Sequence, residues 1–304
     1  MNDQAHTLRY IASTASPLKQ TGMENAFDFE TKNAAARTRC IAVTGGKGGV
    51  GKSNLAVNLS LELGALNKKV NLLDADFGLA NADLLCGVSP EFHLGHVVSA
   101  LKQIEEVMID LSENVRLIPG GSGIEELANV SVNTKAYIFR KLRMMEQSSD
   151  FMVIDTAAGV AENVIGVLIV AEEVIVVATP EPTSIVDAYA TVKTILKRDP
   201  DKKISIVVNN VIGVGDADQV FQQINQATKR FLDRQIEFLG MVPRDSQLVD
   251  AVRRQTPVVN YAPSAPSSRA IRLIAKQIDR ETIHRQAFPM QANSFWDALS
   301  EQFA

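Results

Sequence analysis

Residues 46–53 read Gly46-Lys47-Gly48-Gly49-Val50-Gly51-Lys52-Ser53, directly after the apolar run Cys40-Ile41-Ala42-Val43-Thr44. Behind them, Leu55, Leu59, Leu63 and Leu66 recur at helical spacing over Lys52–Leu66. The order is therefore strand, glycine-rich loop, helix, which is the context a G-x-x-x-x-G-K-[ST] phosphate loop requires. Glycines let successive N–H groups turn inward on a polyphosphate, and the helix N-terminus adds its partial positive charge. Lys52 is expected to reach the β- and γ-phosphates and the Ser53 hydroxyl to ligate Mg²⁺. A second lysine, Lys47, sits near the start of a loop that already encloses those phosphates. It is expected to point outward and neutralise phosphate charge across an interface, as an arginine finger does in trans. A solvated loop lysine is the alternative.

Outward from the loop, nearly continuous β-branched runs recur at Val70–Asp74, Phe151–Asp155, Val174–Ala178, Ile204–Val208 and Ile236–Val242, with helical segments between them. Together with Ile41–Thr44 they predict a doubly wound α/β fold: a mostly parallel sheet with helices on both faces. Of the 304 residues, 46% are apolar and 22% charged, which excludes collagen-like, disulfide-scaffold and wholly disordered chains. The 31 basic and 35 acidic residues give a net charge of −4. That balance lacks the global basic footprint of a nucleic-acid binder, so direct DNA binding is not expected. Cys40 and Cys86 are the only cysteines, too few for a disulfide framework or a structural zinc site. No run approaches the roughly 18 apolar residues of a membrane span, and no signal-peptide core follows Met1. The expectation is a soluble, cytoplasmic protein. Composition divides the chain into a short polar segment (1–10), a linker rich in Ser, Thr, Ala and Asn (11–37), one globular domain (38–286) and a tail (287–304).

Two acidic groups end apolar strands, at the edge where open α/β sheets bind ligands. In Val70-Asn71-Leu72-Leu73-Asp74-Ala75-Asp76, alternation puts Asp74 and Asp76 on one side. Phe151-Met152-Val153-Ile154-Asp155 has the apolar-run-then-Asp form of a Walker B strand. Mg²⁺ keeps several waters and meets only one or two carboxylates. Ser53 is therefore assigned to the metal directly, Asp155 through water, Asp74 to support of the metal shell, and Asp76 to the attacking water. No N-K-x-D motif follows a strand, which disfavours guanine.

The segment VTGGKGGVGKSNLAVNLS (Val43–Ser60) resembles the deviant Walker A loop of the MinD/ParA family of dimeric ATPases, P-loop NTPases of MinD-like fold. In that family the residue matching Lys47 contacts the nucleotide of the other subunit, which implies an ATP- and Mg²⁺-dependent sandwich dimer. Lys47, Lys52 and Asp76 are then the catalytic set. LLDADFGLANADLLCG (Leu72–Gly87) resembles switch I, where the residue matching Asp76 orients water, and DTAAG (Asp155–Gly159) resembles switch II. Many MinD proteins carry a proline at the place of Ala157, so this loop is expected to be less rigid. Val207-Val208-Asn209-Asn210 and Val242-Pro243-Arg244-Asp245 resemble adenine-contacting segments. The resemblance places Asn209, and the backbone around Pro243, Arg244 and Asp245, near the base. By its own chemistry Asn209 suits a turn equally well.

DQAHTLR (Asp3–Arg9) resembles the N-terminal activation helix of the FlhG (FleN) branch, the MinD-like ATPases that set flagellar number. Ala178–Lys193 (ATPEPTSIVDAYATVK) and Leu117–Gly123 (LIPGGSG) follow the same branch. This resemblance implies that Asp3, Gln4, Leu8 and Arg9 engage the GTPase FlhF, with Gln4 and Arg9 assisting catalysis and Leu8 packing. It further implies an ATP-dependent homodimer, a flagellar transcriptional activator of the FleQ/FlrA kind and C-ring switch proteins as partners, and slow ATP turnover. Localisation at the inner face of the membrane or the cell pole would follow from such a role. The tail departs from the family's cationic membrane helix. Phe295, Trp296, Leu299 and Phe303 can share one apolar face, but Asp297 and Glu301 occupy the polar side with no Lys or Arg. That face either binds lipid or docks on protein. The rival readings are a ParA-type DNA-partitioning ATPase, a MinD-type division-site ATPase and a metabolic P-loop ligase. Only loose basic clusters favour the first: Lys197-Arg198 with Lys202-Lys203, and Arg253-Arg254. Related iron–sulfur carriers pair their cysteines, and nothing pairs Cys40 with Cys86 here.

Overall fold

The computed structural model describes residues 38–76, 81–121, 140–286 and 294–302. The predicted activation segment and linker lie outside these residues. Eight strands form one sheet in the order β3-β4-β2-β5-β1-β6-β7-β8. They are β1 (Arg39–Thr44), β2 (Val70–Ala75), β3 (Ile109–Ser112), β4 (Val115–Ile118), β5 (Phe151–Thr156), β6 (Glu173–Ala178), β7 (Lys203–Val211) and β8 (Glu237–Pro243). All neighbouring pairs are parallel except β3 with β4. Every residue of β1, β2, β5 and β6 is buried, as expected of strands covered on both faces. The β3–β4 hairpin adds two strands to the six expected. Each of its strands is only four residues long, which is too short to register as an apolar run.

Helices cover both faces. They are α1 (Lys52–Ala65), α2 (Ala82–Cys86), α3 (Leu94–Val98), α4 (Ile104–Val107), α5 (Glu162–Val170), α6 (Pro182–Arg198), α7 (Val214–Leu232), α8 (Ser246–Arg253), α9 (Val258–Tyr261), α10 (Pro266–Gln286) and α11 (Phe295–Gln302), with a further helical stretch at 140–146. Strand alternation divides the core. Ile41, Val43, Leu72, Val153 and Val177 pack with α1, α9 and α10 on one face. Ala42, Leu73, Ile154, Val176 and Val208 pack with α5, α6 and α7 on the other. The sequence predicts a one-sided leucine stripe on α1, yet Ala56, Val57, Asn58, Ser60 and Glu62 are buried as well. α1 lies between the sheet and α10, so its outer side is covered too. There Arg272 of α10 forks onto both oxygens of Glu62 at 2.9 Å, and the Val259 N–H donates to Asn58 Oδ1 at 3.1 Å.

At the N-terminal edge of the sheet, Arg39 is 3% exposed and pairs with Glu173 and Glu281. Lys203 joins the same two carboxylates. Burial works against the Arg39 charge, but the bonds and charge of Glu173 outweigh it and hold the guanidinium pKa above its ordinary value.

The tail closes the other face. Phe295, Trp296 and Leu299 of α11 are at most 2% exposed and belong to the core beside α5. The backbone N–H groups of Phe295 and Trp296 donate to buried Glu146, at 3.0 and 3.4 Å. A carboxylate at the positive end of a helix is a favourable seat for both charges. In this conformation the tail's apolar face docks on its own domain. No helix among the described residues is long and apolar enough to cross a membrane.

Candidate functional site

β1 is flanked by β5 and β6, and the chain leaves it in one direction and later returns in the other, so its C-terminal end is a topological switch point. The phosphate loop begins there. Gly51 takes φ 97° as the N-cap of α1, a left-handed conformation that favours glycine. A Cβ at Gly51 would also collide with the Asn209 amide, and one at Gly46 with the backbone of Asp187 in α6. The loop is thus wedged between β7 and α6. A cleft of about 550 Å³ opens beside it. Lys47, Gly48, Gly49, Val50, Gly51 and Asn54 line it together with Asn209, Asn210, Pro243, Arg244, Asp245, Leu248 and Val249. Thr179 and Glu181 complete the wall.

Asp74 and Asp155 stand side by side in register on β2 and β5, and Val43 pairs with Asp155 from β1. Asp155 is fully buried, and neither carboxylate oxygen has a hydrogen bond of standard geometry among the described residues. Burial pushes its pKa up to about 7. The nearby Ser53 hydroxyl and the Lys52 charge pull it down, while the charges of Asp74 and Asp76 push it further up. An orphaned, buried carboxylate beside a serine hydroxyl is a hard-oxygen donor set that suits Mg²⁺. Asp74 is differently employed. Its Oδ1 accepts from Asp76 N, and its Oδ2 from Asn81 N and Ala82 N, all at 3.1 Å. Burial raises its pKa to about 6 against those three bonds. Asp74 therefore ties the two ends of the 76–82 stretch to the end of β2. Residues 77–80 between those ends lie outside the described residues.

Lys47 pairs with Glu181 and lies 3.0 Å from Thr183 Oγ1, both at the start of α6 in its own chain. Lys52 is buried and Ser53 half-buried, at the first turn of α1. Asp245 caps α8 through Gln247 N at 2.9 Å and meets Ser267 N and Oγ at 3.0 and 2.7 Å. Partial burial works against its charge, but these bonds keep its pKa below the usual carboxylate range. Its side chain is thus occupied by the fold, and its backbone lines the cleft. The Asn209 Nδ2 donates to the Val50 carbonyl at 2.8 Å. Asp3, Gln4, Leu8 and Arg9 lie outside the described residues. Sequence reasoning passed over Asn54, Thr179, Glu181, Leu248 and Val249 as cleft residues. Glu181 stands in the quoted EPTS segment, but nothing in its spacing points to Lys47.

A family model described as "ParA: NUBPL iron-transfer P-loop NTPase" matches residues 36–279. The chain belongs to the ParA family. It is an ATPase of that family's P-loop class, with a MinD/ParA-like sheet. Among ParA-family relatives it is 34% identical over 253 residues to "Antiactivator FleN" of Pseudomonas aeruginosa, covering 83% of this chain and 88% of the relative. It is 30% identical over 276 residues to "Flagellum site-determining protein YlxH" of Helicobacter pylori, covering 90% of each. Among solved structures, MinD of Pyrococcus horikoshii complexed with Mg-ADP superposes with a TM-score of 0.64 at 25% identity, covering 80% of this chain and 97% of that one. The family model's mention of iron transfer has no counterpart in paired thiols of this ParA-family chain. Cys40 is buried in β1, and Cys86 ends α2 with its thiol pushed up to about 12 by burial and by the charges of Asp83 and Asp74.

Proposed function

We propose that this protein is an ATP-driven dimerisation switch that regulates flagellar number, stimulating the GTPase FlhF and binding a flagellar transcriptional activator of the FleQ/FlrA kind. The observation that carries the reading is the cleft running from the phosphate loop to Asn209 and Pro243–Asp245, with the orphaned Asp155 carboxylate beside the loop's Ser53. Similarity to FleN and YlxH directs it to flagella.

In this mechanism the loop amides of Gly46, Gly48, Gly49, Val50 and Gly51 cradle the phosphates, and Lys52 neutralises the β/γ charge. Ser53 would hold Mg²⁺ directly and Asp155 through water, with Asp74 in support of that shell while it shapes switch I. Bound Mg²⁺ would supply charge neutralisation on the phosphate oxygens. Asp76, whose backbone is fixed by Asp74, orients the attacking water. Lys47 leaves Glu181 and Thr183 to meet the triphosphate of a second copy, so ATP binding joins two chains and hydrolysis releases them. Monomer and dimer then present different surfaces to partners, including C-ring switch proteins. The N-terminal residues Gln4 and Arg9 assist FlhF, with Asp3 and Leu8 in the contact.

Two measurements test this. Asp76→Ala with Mg-ATP is expected to accumulate as a dimer in light scattering, and a monomer refutes the switch. A peptide spanning Met1–Lys19 is expected to stimulate the FlhF GTPase and to lose that effect on Gln4→Ala. A flat response from the unaltered peptide removes the FlhF assignment.

A further inference from the structure

Between Arg244 and Arg280 the sequence holds seven basic residues against three acidic ones, in a chain whose net charge is −4. The three acids are already committed: Asp245 to Ser267 Oγ at 2.7 Å, Asp250 to Arg253 at 3.6 Å and Asp279 to Lys68 at 3.1 Å. Much of the basic charge lies on α10. That helix buries Ile271, Ile274, Ala275 and Ile278 and leaves Arg269, Leu273, Lys276 and Arg280 exposed. Steps of four, three and four residues keep these side chains in one row, about 16 Å long. Arg272, beside the row, is spent on Glu62. Arg269 bonds to the Ser264 carbonyl at 2.8 Å. Lys276 and Arg280 have no ion pair among the described residues. Leu273, in the middle, is 68% exposed. Just ahead of α10 in the chain, the Arg254 guanidinium lies 5.5 Å from the ring of exposed Tyr261.

A row of cations calls for anions, and the leucine among them narrows which. Duplex phosphates would meet the charges but press Leu273 against a charged backbone. An anionic leaflet offers headgroup phosphates to the cations, and acyl carbon just beneath to Leu273 and to the methylene stems of the long side chains. Headgroups also diffuse sideways, so a convex row needs no preformed counter-surface. None of the four residues lines the clefts beside the phosphate loop. The apolar face of α11 is closed against the opposite face of the sheet. We propose that the outer face of α10 is a docking surface for an anionic lipid bilayer. Arg269, Lys276 and Arg280 meet headgroup phosphates and Leu273 enters between them, while the tail stays seated. This surface does not depend on the nucleotide-binding reading above.

The test sets lipid against nucleic acid. Full-length protein is sedimented with vesicles of phosphatidylcholine, alone or with about one-third phosphatidylglycerol, and titrated in parallel with a random DNA duplex. Wild type is expected to bind the anionic vesicles alone, and more weakly as salt rises. Each cation near the surface contributes about fivefold, so Arg269→Gln, Lys276→Gln and Arg280→Gln together should weaken vesicle binding on the order of a hundredfold. Leu273→Ser keeps every charge and should still cost about three- to tenfold. If the triple variant fails to melt like wild type, Lys276→Gln with Arg280→Gln is read in its place, with an expected loss of about twentyfold. Wild type that ignores anionic vesicles overturns the proposal. So does vesicle binding undiminished in the charge variants, which would put the contact elsewhere in the chain. Duplex binding that the charge variants abolish, without vesicle binding, assigns the row to nucleic acid and overturns the lipid assignment.

Discussion

Replacing Asp155 by asparagine is expected to stabilise the nucleotide-free protein while destroying its function. The folded carboxyl titrates at about 7 against an ordinary value of 3.8. At 1.36 kcal/mol for each tenfold change in proton affinity, that gap corresponds to about 4 kcal/mol once both states are ionised. Between about pH 4 and pH 7 the native carboxyl keeps a proton that the unfolded one has lost, so stability falls as pH rises through that interval and is flat above it. Asparagine carries no charge to bury, so its chain lacks that slope. Asp74 and Asp76 contribute part of the displacement, and they relax when the charge is removed, which leaves an expected gain of about 2–4 kcal/mol at pH 8. At roughly 2–4 °C per kcal/mol for a domain of this size, the melting temperature rises by about 5–15 °C. The assay is thermal unfolding by circular dichroism in EDTA without nucleotide, at several pH values from about 5 to 8. The gap between the two proteins should narrow steadily toward acid. Saturating Mg-ATP should reverse the order, because only the aspartate gains from the ion. If Asp155→Asn melts at or below wild type at pH 8 without ligand, the reasoning about a strained, waiting carboxylate is wrong.

Other expectations follow from the same geometry. Trp296→Ala opens a void in the face packed by α5 and should cost about 3–5 kcal/mol, read by chemical denaturation. Glu173→Gln leaves Arg39 buried with one weaker partner and should cost about 3 kcal/mol, whereas altering exposed Glu162, paired with Arg198, should leave the denaturation midpoint where it is. Glu181→Gln frees Lys47 from a surface pair and should tighten ATP-dependent dimerisation by up to about fivefold in sedimentation, with unchanged monomer stability. A looser dimer would show that Glu181 serves the interface instead.

The parallel sheet was legible because its central strands are buried on both faces and so appear as apolar runs; Phe151–Asp155 and Val174–Ala178 need no partner to be recognised. The hairpin of β3 and β4 was not, since Ile109–Ser112 and Val115–Ile118 become strands only by pairing across Glu113-Asn114. The leucine stripe identified α1 but not its burial on all sides, because the covering helix α10 lies some two hundred residues away along the chain. The phosphate loop was legible whole, being one contiguous motif with local mechanics. The carboxylates Asp74 and Asp155 were legible as strand ends, but their shared register was not, since parallel pairing depends on crossovers that no local pattern records. Asn209 shows the limit most clearly: its type and neighbours suit a base contact or a turn, and nothing local announces the bond its amide makes to Val50, 159 residues away.

The docked tail has a practical corollary. Trp296 is the chain's single tryptophan, and it is sealed against the core with Phe295 edge-on to its ring, centroids 5.1 Å apart. Its indole emission therefore speaks for one position alone. With the helix seated the spectrum should be blue and poorly quenched by iodide, and any excursion of the last helix into water should shift it red. The unlabelled protein thus contains an optical gauge of its own C-terminus, readable in the presence of each prospective partner.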